Sequence, residues 1–376
     1  MIFTDDYLNF DLGEGHPMSP DRLKSFKILL NSLYKHENYP FKMFEPEIAD
    51  EKKLLTVHKA EYIDALKKAE QTLEENINFG LGFGDCPIFP DVEKISRTIV
   101  GGTLKATNLV LDTSKNYKVA FNVLGGLHHA WPEKASGFCY YNDCNIAINS
   151  ALERGLKILY IDTDCHSGDG VSKYYYKKNE VLTFSVHETG LYLFPGTDFE
   201  HEVGEGAGKG FCMNLPLIPG TSDQEYLPVV LPLISKAFEI QKPDMVFWQC
   251  GVDTYILDPL THIRLSTRAY CEIAKRIRME INKNNIPIVM MGGGGYSPIA
   301  TARGWLTQFL TLLGIDPLPK PSEDWISYCK QLSQEFPFCN TLIDDFQFYD
   351  KETSNKILEY NNNISKRLME NISLSS

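Results

Sequence analysis

The chain has 376 residues, 43% of them hydrophobic and 23% charged, and carries a net charge of −12. That length can bury a sizeable core, as one large α/β domain or as two or three ordinary ones, with the balance of a globular protein. The acidity argues against nucleic acid as a direct partner, because nothing is gained from phosphate counterion release; no apolar run approaches the roughly 18 residues of a membrane span.

The opening stretch "MIFTDDYLNFD" is acidic and lacks the basic flank and apolar core of a secretion signal, which predicts a cytoplasmic protein. The nine cysteines are scattered, without a CxxC pair, and read as reduced thiols used as small core residues. Helical patterns come first, at Pro20–Leu33 and Ala60–Glu75. From about residue 95 the chain alternates. Strand-like apolar runs fall at Val119–Leu124, Ile158–Ile161, Val181–Val186, Met245–Gln249 and Ile286–Met291. Helical patterns separate them at Asn142–Arg154, Gln224–Ile240, Thr267–Asn284 and Pro298–Leu313, and the more polar tail from Ser322 reads as further helices. No linker or repeat interrupts this alternation, so a single domain over 1–376 is expected, with its motifs within about 15–310. Near-continuous apolar strands between helices predict an α/β fold with a mainly parallel sheet covered on both faces.

Ligands of such sheets bind at the carboxyl ends of the strands. Four chemically rich clusters fall there: "GGLHHA" after Leu124, "DTDCHSGDG" after Ile161, "CGVDTYILDP" after Gln249 and "GGGGYSP" after Met291. Residues two apart in an extended segment point the same way, so Asp164 and His166 can face one metal, with Asp253 as a third ligand from another strand. An Asp two before a His is, taken alone, more often an N-cap beside a solvated imidazole; the strand context and the matching Asp253 favour a metal. Two carboxylates and one imidazole leave a coordination position open, the pattern of a catalytic zinc, although Fe(II) or Co(II) accept the same donors. Asp253 lacks a DxD partner and Asp258 lies too far along to bridge, so one ion is expected, where a two-metal hydrolase needs more ligands. His128 and His129 can divide acid and base duties if carboxylates fix their tautomers, and Asp162 and Asp169 are the acids left over. Tyr296, after four glycines, offers an O–H to a developing oxyanion.

In order along the chain, "HPMSPDR", "FGDCP", "GGLHHA", "SGFCYYND", "YIDTDCHSGDG", "FPGT", "QCGVD" and "GGGGY" resemble the histone deacetylase family, including its acetoin-utilization and acetylpolyamine branches. The resemblance implies an arginase/deacetylase-like three-layer fold with zinc at the floor of a narrow tunnel. It implies Asp164, His166 and Asp253 as ligands, His129 as general base with Asp169 behind it, His128 as its electrostatic or acid partner with Asp162 behind it, and Tyr296 as the carbonyl-polarising donor. Phe138 and Phe194 match the tunnel walls, Gly137 the carbonyl that accepts the substrate amide, Asp85 the rim acid that holds a substrate backbone, and Arg22 an interior arginine associated with product exit. A monovalent cation, normally K⁺, would lie against Asp162, Asp164, His166, Ser185 and Val186. Three positions depart from the family pattern: Ser167 where many members carry a second His, Leu127, and Leu193. They are expected to bear on acyl-chain length and substrate identity.

The expected activity is hydrolysis of an acetyl or related acyl amide on a lysine-like amine, the substrate being an acyl-lysine peptide or protein. Two other readings use the same residues. An acetylpolyamine or other small-molecule amidohydrolase would want an acid at the mouth, where this chain has Leu260. A non-catalytic acyl-lysine reader would not retain every acid–base group.

Overall fold

Ile158–Asp162 is apolar until its last residue, and such a strand is stable only where both faces are covered. It is β2 of a six-stranded sheet formed with β1 (Val119–Asn122), β3 (Val181–Glu188), β4 (Cys212–Leu217), β5 (Met245–Gln249) and β6 (Ile288–Met291). The strand order is β1-β6-β5-β2-β3-β4 and every neighbouring pair is parallel. The computed structural model describes all residues except 35–37, 83, 334–335, 345, 347–348 and 375–376. Phe83, in "FGDCP", therefore lies outside the described residues.

Alternate residues of the inner strands enter two separate cores. Phe121, Leu159, Ile161, Phe184, Trp248 and Met290 pack beneath α1 (Asp21–Leu33), α7 (Asp223–Gln241), α8 (Thr267–Lys283) and α9 (Pro298–Leu313). Ala120, Ile158, Tyr160, Phe247 and Met291 pack on the other face, beneath α4 (Val92–Leu111) and α5 (Asp143–Leu152). This is the three-layer arrangement that the strand pattern predicted. The other α-helices among the described residues are α2 (Glu51–Leu54), α3 (Ala60–Thr72), α6 (Asp169–Ser172), α10 (Glu323–Leu332) and α11 (Lys351–Ser373).

Two of the longer elements were not read from the sequence. In β4, Asn214 and Pro216 interrupt the apolar run; the strand is tolerated because it is an edge paired only with β3, where a proline without an N–H costs little. In α4, Gly101 and Gly102 hide the helical pattern. A Cβ on Gly101 would strike the Glu47 carbonyl and one on Gly102 the Tyr7 hydroxyl, so close packing there offsets the usual glycine penalty of about 1 kcal/mol.

The chain runs outward from β2 to β3 and β4, then returns to β5 and β6 on the other side of β2. The reversal between β2 and β5 opens a crevice at the carboxyl ends of these two strands.

Candidate active site

Just past the end of β2 the chain turns on its own carboxylates. Asp162 Oδ1 accepts the Asp164 N–H at 3.2 Å, and Asp164 Oδ1 accepts the His166 N–H at 3.0 Å. Across the crevice, Asp253 follows β5 and its Oδ1 takes the Cys165 N–H at 2.7 Å. Donor atoms of Asp164, His166 and Asp253 thereby lie within 4.8 Å of one another, and all three residues are buried. His166 Nδ1 is 2.7 Å from Asp253 Oδ2 and 3.3 Å from Asp164 Oδ1. Asp164 Oδ2 also receives the Gln249 side-chain amide at 2.8 Å and the Gly294 N–H at 2.7 Å.

Glycines line this cradle for a steric reason: a Cβ on Gly251 would strike Asp164 Oδ2, and one on Gly294 would come within 2.6 Å of Asp253 Oδ2. Burial alone would raise Asp164, but the charges of His128 and His166 hold it well below the usual carboxylate range. Asp253 is pushed the other way, to about 8, by burial and by the Asp164 charge. His166 is lowered by burial but raised further by its bonds to Asp164 and Asp253, to about 10. Two buried carboxylates at contact distance repel, and a divalent cation would relieve that repulsion. An O, N, O donor set with a small, glycine-lined surround fits such an ion.

The two histidines lie beside this trio, their ring centroids 4.0 Å apart and their planes tilted by 53°. His128 Nδ1 is 2.8 Å from Asp162 Oδ2, and His129 Nδ1 is 2.7 Å from Asp169 Oδ1, the pairing the family resemblance implied. Burial lowers both imidazoles. For His128 the Asp162 and Asp164 charges overturn this and raise it to about 9, so it is protonated near neutrality. For His129 the neighbouring His128 charge adds to burial and outweighs Asp169, leaving it below its ordinary value and neutral.

Tyr296 stands on the opposite side, its ring 6.3 Å from that of His166 and edge-on to Phe138 at 5.9 Å. Burial and the Asp253 and Asp164 carboxylates raise the phenol well above its ordinary range, so it remains an O–H donor. Phe194 packs edge-on to His129 at 5.0 Å and is 46% exposed, at the surface end of the site. Gly137 adopts φ +55°, a Cβ there would collide with the His129 ring, and its N–H donates to Asp85 Oδ2 at 2.6 Å. Arg22 is fully buried, donating to the Gly293 carbonyl at 2.5 Å and lying over the Trp305 and Tyr296 rings. Ser185 stands opposite Asp162 in the β2–β3 register, with Val186 next to it. Among the departures, Leu127 is buried in the core, Leu193 packs against the core edge, and the buried Ser167 hydroxyl has no hydrogen-bond partner among the described residues.

Several site residues had no assigned part in the sequence reading. Gln249 was only a letter of "QCGVD", yet it braces Asp164. Tyr160 read as a strand residue, yet its hydroxyl donates to Asp162 Oδ2 at 2.6 Å. Trp131, which follows the histidine loop, donates its indole N–H to Asp169 Oδ2 at 3.2 Å. Asp143 accepts the Gly126 and Leu127 N–H groups and so shapes the histidine loop. Asp258, set aside as too distant to bridge metals, bonds the backbone of Tyr296 and Leu260. Of these, only Gln249 carried a usable signal, a polar residue ending an apolar strand beside a glycine.

Residues 16–312 match the histone deacetylase domain. The chain belongs to the histone deacetylase family. Within it, the acetoin utilization protein AcuC of Bacillus subtilis is 34% identical, over 86% of this chain and 84% of that protein. AcuC of a Staphylococcus aureus strain is 35% identical, over 89% and 87%. A crystal structure of an HDAC homolog complexed with SAHA superposes with a TM-score of 0.85 at 28% identity, covering 96% of this chain and 98% of that one. A second, an HDAC homolog from Aquifex aeolicus, gives 0.83 over the same shares. As a histone deacetylase-like hydrolase, the protein is a deacetylase of a metal-dependent family. Among the described residues, no helix is long and apolar enough to cross a membrane.

Proposed function

We propose that the protein removes an acyl group, most simply acetyl, from the side-chain amine of a lysine in a peptide or protein. The observation that carries this reading is the geometry of the histidine pair beside the Asp164–His166–Asp253 trio: two adjacent buried imidazoles, each with its Nδ1 held by its own carboxylate, Asp162 for His128 and Asp169 for His129. A divalent ion, zinc by the donor set or Fe(II) or Co(II) by availability, would be held by those three residues and would supply Lewis acidity toward the amide carbonyl and the attacking water. With Nδ1–H directed at Asp169, the His129 Nε2 carries the lone pair that takes the water proton. The protonated His128 holds positive charge against the developing tetrahedral species, and Tyr296 donates its O–H to the oxyanion. A histidine of the pair then returns a proton to the departing amine, leaving a carboxylate and a free amine.

Phe138 and Phe194 suit the aliphatic stem of the substrate, and Gly137 and Asp85 its amide and backbone. Leu260, at the position where an acid would be wanted, favours a peptide over a polyamine whose distant ammonium would need that acid. Arg22 suits the departing carboxylate, and K⁺ at Asp162, Asp164, His166, Ser185 and Val186 would steady the ligand strand. The test is a panel of acyl-lysine peptides of increasing chain length beside acetylspermidine, each after chelation and after reloading with one metal at a time. Metal-restored turnover of acetyl-lysine peptide is expected. Turnover of acetylspermidine alone overturns the substrate class, and turnover indifferent to chelation overturns the mechanism.

A further inference from the structure

The phenol of Tyr296 has to sit within hydrogen-bond reach of an oxyanion, yet it follows four consecutive glycines, the least restrained backbone a chain can have. Gly293 and Gly295 take φ of +71° and +125°, conformations that L side chains rarely adopt. No side chain in that run braces the backbone, so what holds Tyr296 must come from outside it.

The first three glycines are held by bonds to Asn122, Gly125 and Asp164, whereas the Tyr296 N–H itself is held by a carboxylate from the segment after the neighbouring strand. Asp258 is 9% exposed; its Oδ2 accepts the Tyr296 N–H at 2.7 Å and its Oδ1 accepts the Leu260 N–H at 3.0 Å. Hydrogen bonds to an ionised acceptor are roughly twice as strong as neutral ones. Burial raises the carboxyl to about 6, which still leaves it ionised at neutral pH. The same segment is fixed to the metal-site strand by the Thr261 hydroxyl, which donates to the Asp253 carbonyl.

We propose that Asp258 is the positioning residue for Tyr296, one carboxylate pinning the oxyanion donor on one oxygen and the mouth residue Leu260 on the other. This rests on the hydrolytic reading above, and it makes Asp258 act through Tyr296 rather than on substrate.

A double-mutant cycle on the metal-loaded enzyme tests it. D258A is expected to lower kcat by about 10- to 100-fold, the range for losing a group that orients a reacting one. In a Y296F background the same change should alter kcat less than about threefold, because the donor it positions is gone. Any loosening of Leu260 appears as a KM change of equal size in both backgrounds. D258N keeps one acceptor oxygen and should fall between wild type and D258A, which covers the case where D258A folds poorly. The metal-free protein gives a separate readout. With 15N-tyrosine labelling, the Tyr296 amide proton should move upfield and exchange faster in D258A or D258N. Losses in kcat that multiply across the cycle, or an unmoved Tyr296 amide, overturn the proposal. Wild-type enzyme without turnover would instead overturn the hydrolytic reading.

Discussion

At the residue scale, the site is a set of charges whose signs are decided by neighbours rather than by residue type. His128 and His129 are adjacent in the chain and equally buried, yet one faces two carboxylates and the other faces one carboxylate and a cation. The result is a charged and a neutral imidazole side by side, which no inspection of "HH" would reveal. Tyr296 makes the same point: its burial beside Asp253 and Asp164 keeps the phenol protonated, as a hydrogen-bond donor must be. Removing one oxyanion donor costs on the order of 10²–10³ in rate. Tyr296→Phe is therefore expected to fold and to bind its metal with unchanged stoichiometry while losing that much kcat on an acetyl-lysine peptide. Near-wild-type turnover would take Tyr296 out of the chemistry. The residues legible in advance were those whose type is rare at a strand end, Asp164, His166 and Asp253. Asp143 and Asp258 were not legible, because accepting from a backbone N–H leaves no periodic trace.

At the scale of the element, the histidine loop is held from both sides by helix ends. Asn142 caps α5 by accepting the Asn145 N–H at 2.9 Å, and its amide donates to the Ala130 carbonyl at 2.9 Å. The Asn142 N–H in turn donates to His58 Nε2 at 3.0 Å, while His58 Nδ1 faces the Trp131 carbonyl at 3.1 Å. That arrangement needs a neutral imidazole, and burial accordingly lowers His58 from 6.5 to about 4. Between those values the unfolded chain binds the additional proton, so stability is whole above about pH 6.5 and falls as the pH drops toward 4, by up to about 3 kcal/mol. Urea midpoints measured across that range should decline more steeply for wild type than for His58→Gln; equal slopes would show that His58 does not report on folding. The other elements repeat the lesson of this loop. The helix Pro298–Leu313 was read to the residue because proline opens it and glycine closes it. The strand Cys212–Leu217 was missed because its proline is tolerable only at an edge, and being an edge is a property of the sheet.

At the scale of the whole molecule, a buried ion pair is among the contacts that tie the C-terminal segment to the core. Arg303 on α9 and Asp344 meet at 2.6 Å with both side chains fully buried. Asp344 also accepts the Tyr255 hydroxyl and the Thr267 N–H, each at 2.8 Å, so the segment bears on the loop after Asp253 and on the start of α8. Breaking such a pair leaves an uncompensated charge and costs about 3–5 kcal/mol. Chemical denaturation of Asp344→Ala should show a loss of that size, with a milder loss when Arg303→Met is combined with Asp344→Leu. A change below about 1 kcal/mol would mean the tether carries no load. The sequence by itself determined the class of fold, the strands that end in chemistry and the residue types of the trio, because alternation, apolar runs and glycine-flanked polar clusters are local signals. It could not determine that β5 lies beside β2, which brings Asp253 against His166 from 87 residues away, nor which imidazole is charged. Those depend on strand order and on the summed field of groups that meet only when the chain has folded.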